Sequence, residues 1–299
     1  MRGLLAYSMR GRSQAVTVAS VFAVLAPLLP PMSFLTGGIV GLATLRNGLK
    51  EGAIVVVGSV VLTGILLLIA LGSPKPVVGF ILVWVPILVF SELLRRSGGQ
   101  NVPIAATGVL GAVAVVVVRM VLGDPTAWWT DTLTNLFSQF GGQAGVDFSG
   151  ERAQRFIADL APQMTGLLVA SFVLSWIVTL LLARWWHAIL DNPGGFSEEY
   201  RRLALSPRLA FLTIAVMVAS FIPILEGLAT DVLMVLIVVY TFQGIAVAHS
   251  LVHSRGASVS WLVVMYALLL LVQWPIVVFL AVVGLGETWL RFRTRFART

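Results

Sequence analysis

The stretch YTFQGIAVAHSLVH, Tyr240 to His253, decides the fold class because most of it lies within an apolar run over residues 232–252. About 20 such residues cross the hydrocarbon core of a bilayer as one helix. The same stretch places Gln243 near the middle of the run and His249 and His253 towards its end. An amide buried in hydrocarbon needs a hydrogen-bond partner. The stretch therefore predicts a membrane helix and leaves the partner of Gln243 to be found.

Apolar runs of similar length recur along the whole chain. Of its 299 residues, 58% are hydrophobic and 11% are charged, and the mean hydropathy is +0.97. Further runs occupy about residues 52–71, 77–93, 103–122, 162–183 and 208–225. Because a backbone in lipid must satisfy its own hydrogen bonds, these runs are expected to be helices. The sequence predicts an all-α polytopic membrane protein, one membrane domain over residues 1–299 with about 8–10 transmembrane helices.

The first and last apolar blocks are each too long for a single span. Gln14 to Leu45 is interrupted by Pro30 and Pro31, and Ser258 to Leu290 contains Pro275. Proline removes a helical hydrogen bond, so each block is predicted to be a broken hairpin of two short helices. This arrangement places most of the 20 Lys and Arg residues on one side of the membrane. By the positive-inside rule, both termini are expected to be cytoplasmic.

Residues 123–161 form the one sizeable segment predicted to lie outside the membrane. Within it, one helical face collects Trp129, Leu133, Leu136, Phe137 and Phe140. An amphipathic helix of this kind is expected to lie along the bilayer surface. It could cap a cavity that opens outward, or it could only fill an interfacial gap.

Residues 184–209, called the elbow below, are the most distinctive cytoplasmic segment of the prediction. Asn192, Pro193, Gly194 and Gly195 are expected to stop a helix, and Ser197 to cap a short new one. The glycine pair lacks the lysine and the strand-turn-helix setting of a phosphate loop. These four residues, with Phe196, are therefore candidates for docking of a partner protein, and plain loop geometry is the alternative.

Four stretches of the chain resemble the YybS-like family of bacterial inner-membrane proteins, a domain of unknown function. They are RWWHAILDNPGGFSEEYRRLAL, LPPMSFLTGGIVGLATLRNGLKEG, TFQGIAVAHSLV and GLGETWLRFR, spread over residues 29–293. That family is in turn similar to the S components of energy-coupling-factor (ECF) vitamin transporters. The resemblance implies an S-component-like core, a bacterial inner-membrane location and energising partner subunits.

S components dock on their coupling subunit through small residues of the first helix. In this chain Ala15, Ala19 and Ala23 repeat the small-xxx-small spacing that permits close helix approach. The resemblance makes them candidates for docking, and packing inside the bundle is the alternative.

Deep polar and aromatic residues are the candidates for contact with a small-molecule ligand. Gln243 could instead join two helices by hydrogen bonds, and Arg119 could extend to the membrane surface. Asp231, in the outer turn, is expected to be a solvated charge at the rim. The complete candidate ligand set is Trp84, Arg119, Tyr240, Gln243, Gln273 and Trp274.

Catalytic chemistry has little support in the sequence. The chain has no cysteine, and no hydrolase, zinc-protease or Walker motif occurs. His249 and His253 share a helix face but lack an accompanying carboxylate, so no metal site is predicted. The net charge of +7 is attributed to membrane topology and lipid contact, with no nucleic-acid partner. No enzyme activity and no cofactor are expected.

Two hypotheses follow for the function. The first is a membrane protein that binds a small, partly apolar molecule and assists its transport in the manner of an S component. Because no ATP-binding motif is present, energy would have to come from other subunits. The second is a membrane scaffold or assembly factor that acts through the elbow and the basic C-terminus.

Overall fold

The structure is a computed structural model that describes residues 2–144 and 150–296, without the side chains of residues 140–144 and 296. Within these ranges every regular element is a helix. In chain order the α-helices are α1 (Arg2–Ser8), α2 (Arg12–Leu25), α3 (Met32–Asn47), α4 (Leu49–Leu71), α5 (Val77–Ser97), α6 (Asn101–Leu122), α7 (Pro125–Ala144), α8 (Glu151–Leu160), α9 (Met164–Asp191), α10 (Gly195–Arg201), α11 (Pro207–Ala219), α12 (Glu226–Ser254), α13 (Ser260–Leu271), α14 (Gln273–Leu290) and α15 (Phe292–Phe296).

Six helical segments are long and apolar enough to cross a membrane. They are α4, α5, α6, the continuous segment Glu151–Asp191 that ends in α9, α12 and α14. Three shorter apolar helices, α2, α11 and α13, accompany them. The chain is therefore a polytopic helical membrane protein, as the apolar runs predict.

Both terminal blocks are broken into two helices. The first breaks between α2 and α3, where Pro30 and Pro31 lie. The second breaks at Val272, three residues before Pro275. A proline ring collides with the carbonyl group four residues earlier, so α13 ends at Leu271 and Pro275 lies within the first turn of α14.

The centre of the bundle is built on α3, α9 and α12. Glycines on α3 let it approach α9 closely: a Cβ atom on Gly41 would lie 2.7 Å from the Cβ of Ala183. The neighbouring helix α5 contains Pro86, which cannot donate a hydrogen bond to the Leu82 carbonyl. The indole nitrogen of Trp176 on α9 donates to that carbonyl oxygen at 2.9 Å instead. A side chain thus satisfies the backbone group that the proline leaves free.

The segment of α7 and α8 is amphipathic, but its apolar face is turned towards protein. Trp129 and Leu133 are buried with Ile157 and Ala161, and Phe137 packs beside them. Leu136 is exposed, and the side chain of Phe140 lies outside the described residues. The indole nitrogen of Trp129 donates to the Thr165 hydroxyl at 2.9 Å, which fixes α7 against the start of α9.

One end of the bundle gathers the basic segments. Polar links there join α2 to α4, α3 to α9, α9 to α10, and α15 to the chain after α10. These links are Arg12–Glu51, Arg46–Asp191, Arg184–Glu199 and Arg293–Leu203. The N-terminal and C-terminal helices are consequently held at the same end, called the elbow end below.

Candidate functional site

The partner of Gln243 is a segment of backbone that is not helical. Residues 202–206, called the connector below, join α10 to α11; Leu203 and Leu205 are buried, whereas Arg202, Ala204 and Ser206 are exposed. The Leu205 amide donates to Gln243 Oε1 at 2.7 Å, and Gln243 Nε2 donates to the Gly284 carbonyl oxygen at 2.6 Å. Irregular backbone in a membrane protein must find hydrogen-bond partners, and Gln243 bonds to the connector and to α14 at the same time.

Other side chains satisfy the rest of the connector. Asn101 Oδ1 accepts from the Ala204 amide at 3.0 Å, and Arg293 donates to the Leu203 carbonyl oxygen at 2.7 Å. The Tyr200 hydroxyl donates to the Phe242 carbonyl oxygen at 3.1 Å. Burial raises the pKa of Tyr200, so the phenol keeps the proton that it donates. The elbow is therefore anchored in the bundle after α10 and is not only a surface segment.

The α12–α14 crossing beside Gln243 has almost no space for side chains. A Cβ atom on Gly244 would collide with the Leu280 carbonyl group, and one on Gly284 would collide with the Tyr240 carbonyl group. Tyr240 itself is buried on α12. Gln243 and its neighbours thus form a helix-packing site, the structural alternative in the sequence interpretation. A ligand contact at Tyr240 or Gln243 stays a prediction.

Arg119 lies at the opposite end of the bundle from the elbow. Its guanidinium contacts Asp231 at 2.6 Å and 2.8 Å, and the other carboxylate oxygen of Asp231 accepts from the Gly166 amide at 3.0 Å. Asp231 is 1% exposed, so the expectation of a solvated rim charge was wrong. The acid is buried because it joins α6, α9 and α12.

The remaining candidate ligand residues lie on two helices, α5 and α14. Trp84 is fully buried in α5 and stacks on Phe80, with ring centroids 5.5 Å apart. Gln273 and Trp274 are exposed at the start of α14. The six predicted residues are thus spread over α5, α6, α12 and α14, and a ligand contact stays a prediction for each.

The partner-docking candidates fall into two groups. Ala15, Ala19 and Ala23 are buried where α2 packs on α3 and α4, which is the internal-packing alternative. The elbow residues Asn192, Pro193 and Gly194 are exposed, and Gly195 and Phe196 are half-buried. Only the elbow group presents a free surface in this structure, and a docking role for either group stays a prediction.

The short helix α10 begins differently from the prediction. Gly194 precedes it with φ of +90°, a left-handed conformation that glycine adopts without strain. Ser197 lies inside the helix, and no side chain caps its first turn. The predicted Ser197 cap was wrong because the helix begins two residues earlier, at Gly195.

The paired histidines do not gather other metal ligands. His249 Nε2 lies 2.9 Å from the Tyr266 hydroxyl, and its ring packs edge-on against Tyr200. Across residues 2–144 and 150–296, no group of three His, Cys, Asp or Glu side chains could hold a metal ion. The geometry gives His249 a packing role between α10, α12 and α13.

An apolar crevice of about 440 Å³ lies between α2, α3, α5 and α9 at the end opposite to the elbow. Phe80, Phe172 and Gly79 line it, together with Ser171 and Ser175. The Ser171 hydroxyl donates to its own helix backbone, so it presents little polarity to the space. Phe80 separates the crevice from Trp84. Sequence reasoning missed this crevice, because its lining residues come from four helices without a shared motif.

Comparison with known proteins adds no further constraint. No protein family, curated protein or solved structure matches the chain.

Proposed function

We propose that this membrane protein binds a small, partly apolar molecule in the crevice between α2, α3, α5 and α9. The observation that carries the proposal is the crevice itself, a concave space of about 440 Å³ with aromatic and aliphatic walls. Small-molecule sites in proteins have this size and this apolar character, with a few polar groups that orient the ligand. Ser33, Ser171 and Ser175 are the polar residues of the lining.

The walls of the crevice are well supported. Trp176, one residue from Ser175, is tied to the Leu82 carbonyl and packs against Phe172 and Phe90. These contacts join α5 and α9 directly below the crevice. A wall fixed in this way loses little conformational entropy when a ligand binds, which favours affinity.

The resemblance to YybS-like proteins and to S components extends the proposal from binding to transport. In that interpretation the protein has an S-component-like core in a bacterial inner membrane, with its elbow end and both termini in the cytoplasm. The crevice then faces outward, and separate subunits supply energy. The three shorter apolar helices α2, α11 and α13, together with α3, would raise the six long segments to the ten spans at the upper limit of the sequence prediction.

Native mass spectrometry of the protein, extracted with its surrounding lipid, tests the binding proposal. Gly79 lines the crevice, and a Cβ atom there meets nothing within 4 Å, so Gly79→Leu is expected to occupy part of the space. Wild type is expected to retain a discrete small-molecule mass that Gly79→Leu loses. Gly64→Leu is the matched control, since Gly64 lies on α4 outside the crevice with equally open surroundings.

The binding proposal fails if wild type retains no small molecule, or if Gly79→Leu and Gly64→Leu retain it equally. Flux into proteoliposomes, with and without co-purified subunits, then separates a binding protein from a transporter. Retained binding without flux would contradict the transport proposal and leave the binding proposal intact.

The second candidate function is a scaffold or assembly factor, and one observation favours it. The exposed turn Asn192–Gly194 projects from an elbow that Arg184–Glu199 and the connector bonds hold in place. Recovery of a partner protein in stoichiometric amount with wild type, but not with Pro193→Glu, is expected from this role. Ser197→Glu, an exposed change in the neighbouring helix, is the control. Equal recovery with both variants would remove the support for the scaffold.

A further inference from the structure

A second cavity, of about 380 Å³, lies at the elbow end between the α5–α6 turn and α10. Its walls differ from those of the apolar crevice, because they are formed by amides, ion pairs and glycine backbone. The residues used below are Gly99, Gln100, Asn192, Arg184, Glu199 and Arg202. The proposed function does not use this cavity.

Gln100 is the unusual residue of this cavity. It is 1% exposed, and neither its Oε1 nor its Nε2 atom has a hydrogen-bond partner among the described residues. Buried amides are almost always bonded, since an unmet donor or acceptor loses its water without compensation. Gln243, equally buried, has partners for both atoms. The unmet pair on Gln100 therefore points to a bound group that supplies one donor and one acceptor.

A third unmet atom belongs to another residue that lines this cavity. Glu199 Oε2 accepts from Arg184 at 2.7 Å and 2.8 Å, whereas Glu199 Oε1 is buried without a partner among the described residues. Arg202 pairs with Glu198 at the rim. Each arginine in the lining is thus matched by a carboxylate, and the cavity carries no net charge from these four residues. A matched set of charges does not favour a phosphate or another anion over a neutral molecule.

We propose that this elbow cavity binds a small uncharged molecule through a carboxamide-type edge, in which an NH₂ group lies beside a carbonyl oxygen or a ring nitrogen. One N–H would donate to Gln100 Oε1, the ligand acceptor would receive Gln100 Nε2, and the second N–H would donate to Glu199 Oε1. Three unmet protein atoms would thus find three complementary ligand groups. Recognition by paired buried polar groups discriminates strongly against analogues that lack one of them.

The surroundings are suited to a site that opens at its rim, because the unmet atoms of Gln100 and Glu199 are covered in this structure. Asn101 is bonded to the connector and Arg184 to Glu199, so floor and wall are fixed. The side chains of Arg202 and Glu198 are 77% and 61% exposed, so this pair can open without unpacking the core. Gly98 and Gly99 leave the remaining wall free of side chains, with nothing within 4 Å of a Cβ atom at either position.

Saturation-transfer NMR on the purified full chain tests the proposal with three isosteric probes. Isonicotinamide carries the complete edge, 4-acetylpyridine lacks the N–H donors, and isonicotinate carries a charge. The wild-type signal of isonicotinamide is expected to be at least about tenfold stronger than those of the other two, since an unmet buried donor or acceptor weakens binding by about that factor.

Two variants test whether the isonicotinamide signal comes from the elbow cavity. Gly99→Leu fills the cavity from a position with open space, and Gln100→Met removes the amide while keeping the length of the side chain. Both are expected to lower the isonicotinamide signal to that of 4-acetylpyridine. Gly3→Leu, at an equally open glycine of α1, is expected to leave it unchanged.

Equal signals from the three probes, no signal from isonicotinamide, or a signal retained in Gly99→Leu would each overturn the proposal. If Gln100→Met does not fold, Gly99→Leu decides the result alone. These outcomes are independent of the proposed function, because Gly79→Leu, the variant that tests the crevice, leaves the elbow cavity intact.

Discussion

Gln100 and Gln243 have the same chemistry and the same exposure, 1% each, but opposite surroundings. Gln243 bonds one backbone amide and one backbone carbonyl, whereas Gln100 bonds neither among the described residues. The first completes the structure of the connector, and the second leaves hydrogen-bonding capacity unused beside a cavity. The difference teaches that burial alone does not assign a role to a polar side chain, because the role depends on its hydrogen-bond partners.

The strongest way to test the importance of partners is to remove one from a buried ion pair. Arg119→Leu leaves Asp231 buried without its cation, and losses for such changes are about 3–5 kcal/mol. Thermal unfolding and SDS titration in detergent measure the effect. Arg119→Leu combined with Asp231→Asn should recover part of the loss, because asparagine keeps an acceptor for the Gly166 amide. A double variant no more stable than Arg119→Leu would contradict the role of the pair.

The next largest effect is expected at the partnered glutamine. Gln243→Leu leaves the Leu205 amide without its bond and removes the side-chain donor to the Gly284 carbonyl, which lies inside α14. The free energy of unfolding should fall by about 1–3 kcal/mol, the cost of one unmet buried group, measured by the same titration. Gln273→Leu is the control, because Gln273 is exposed and should change stability little. Equal losses at the two positions would show that Gln243 is not a special contact.

Local pattern was enough to predict much of this fold. The apolar runs identify the membrane helices, the prolines identify both broken hairpins, and the elbow glycines identify the end of α9. Each of these features depends on residues close together in sequence. The break at Val272 precedes Pro275 by three residues because a proline acts on the turn before it.

The candidate sites depend on contacts between distant residues, which one sequence does not reveal. Gln243 was a candidate ligand residue with helix packing as the alternative, and no sequence pattern places its partner Leu205 beside it. Asp231 was placed at the rim because it is near a turn, whereas Gly166 and Arg119 bury it. Gln100 follows two glycines and looks like an ordinary turn residue. Its unmet amide is visible only once α10 is packed beside it.

A smaller effect is expected where a side chain replaces a helical hydrogen bond. Trp176→Phe removes the donor to the Leu82 carbonyl and should lower stability by about 1–2 kcal/mol. Trp185→Phe, at a partly exposed tryptophan of the same helix, is the control. In a Pro86→Ala background the helix can bond Leu82 itself, so Trp176→Phe should then have less effect. The same loss in both backgrounds would contradict this explanation.

The smallest effect, and the only one of opposite sign, is expected at Gln100. Gln100→Met replaces a buried amide that has no partner among the described residues by an apolar side chain of similar length. Without ligand it should raise the free energy of unfolding by about 1 kcal/mol, since it removes an uncompensated desolvation. The matched change Gln243→Met should lower it, because there the bonds exist. A loss at both positions would mean that Gln100 is bonded in the folded protein, and the two glutamines would then share one structural role.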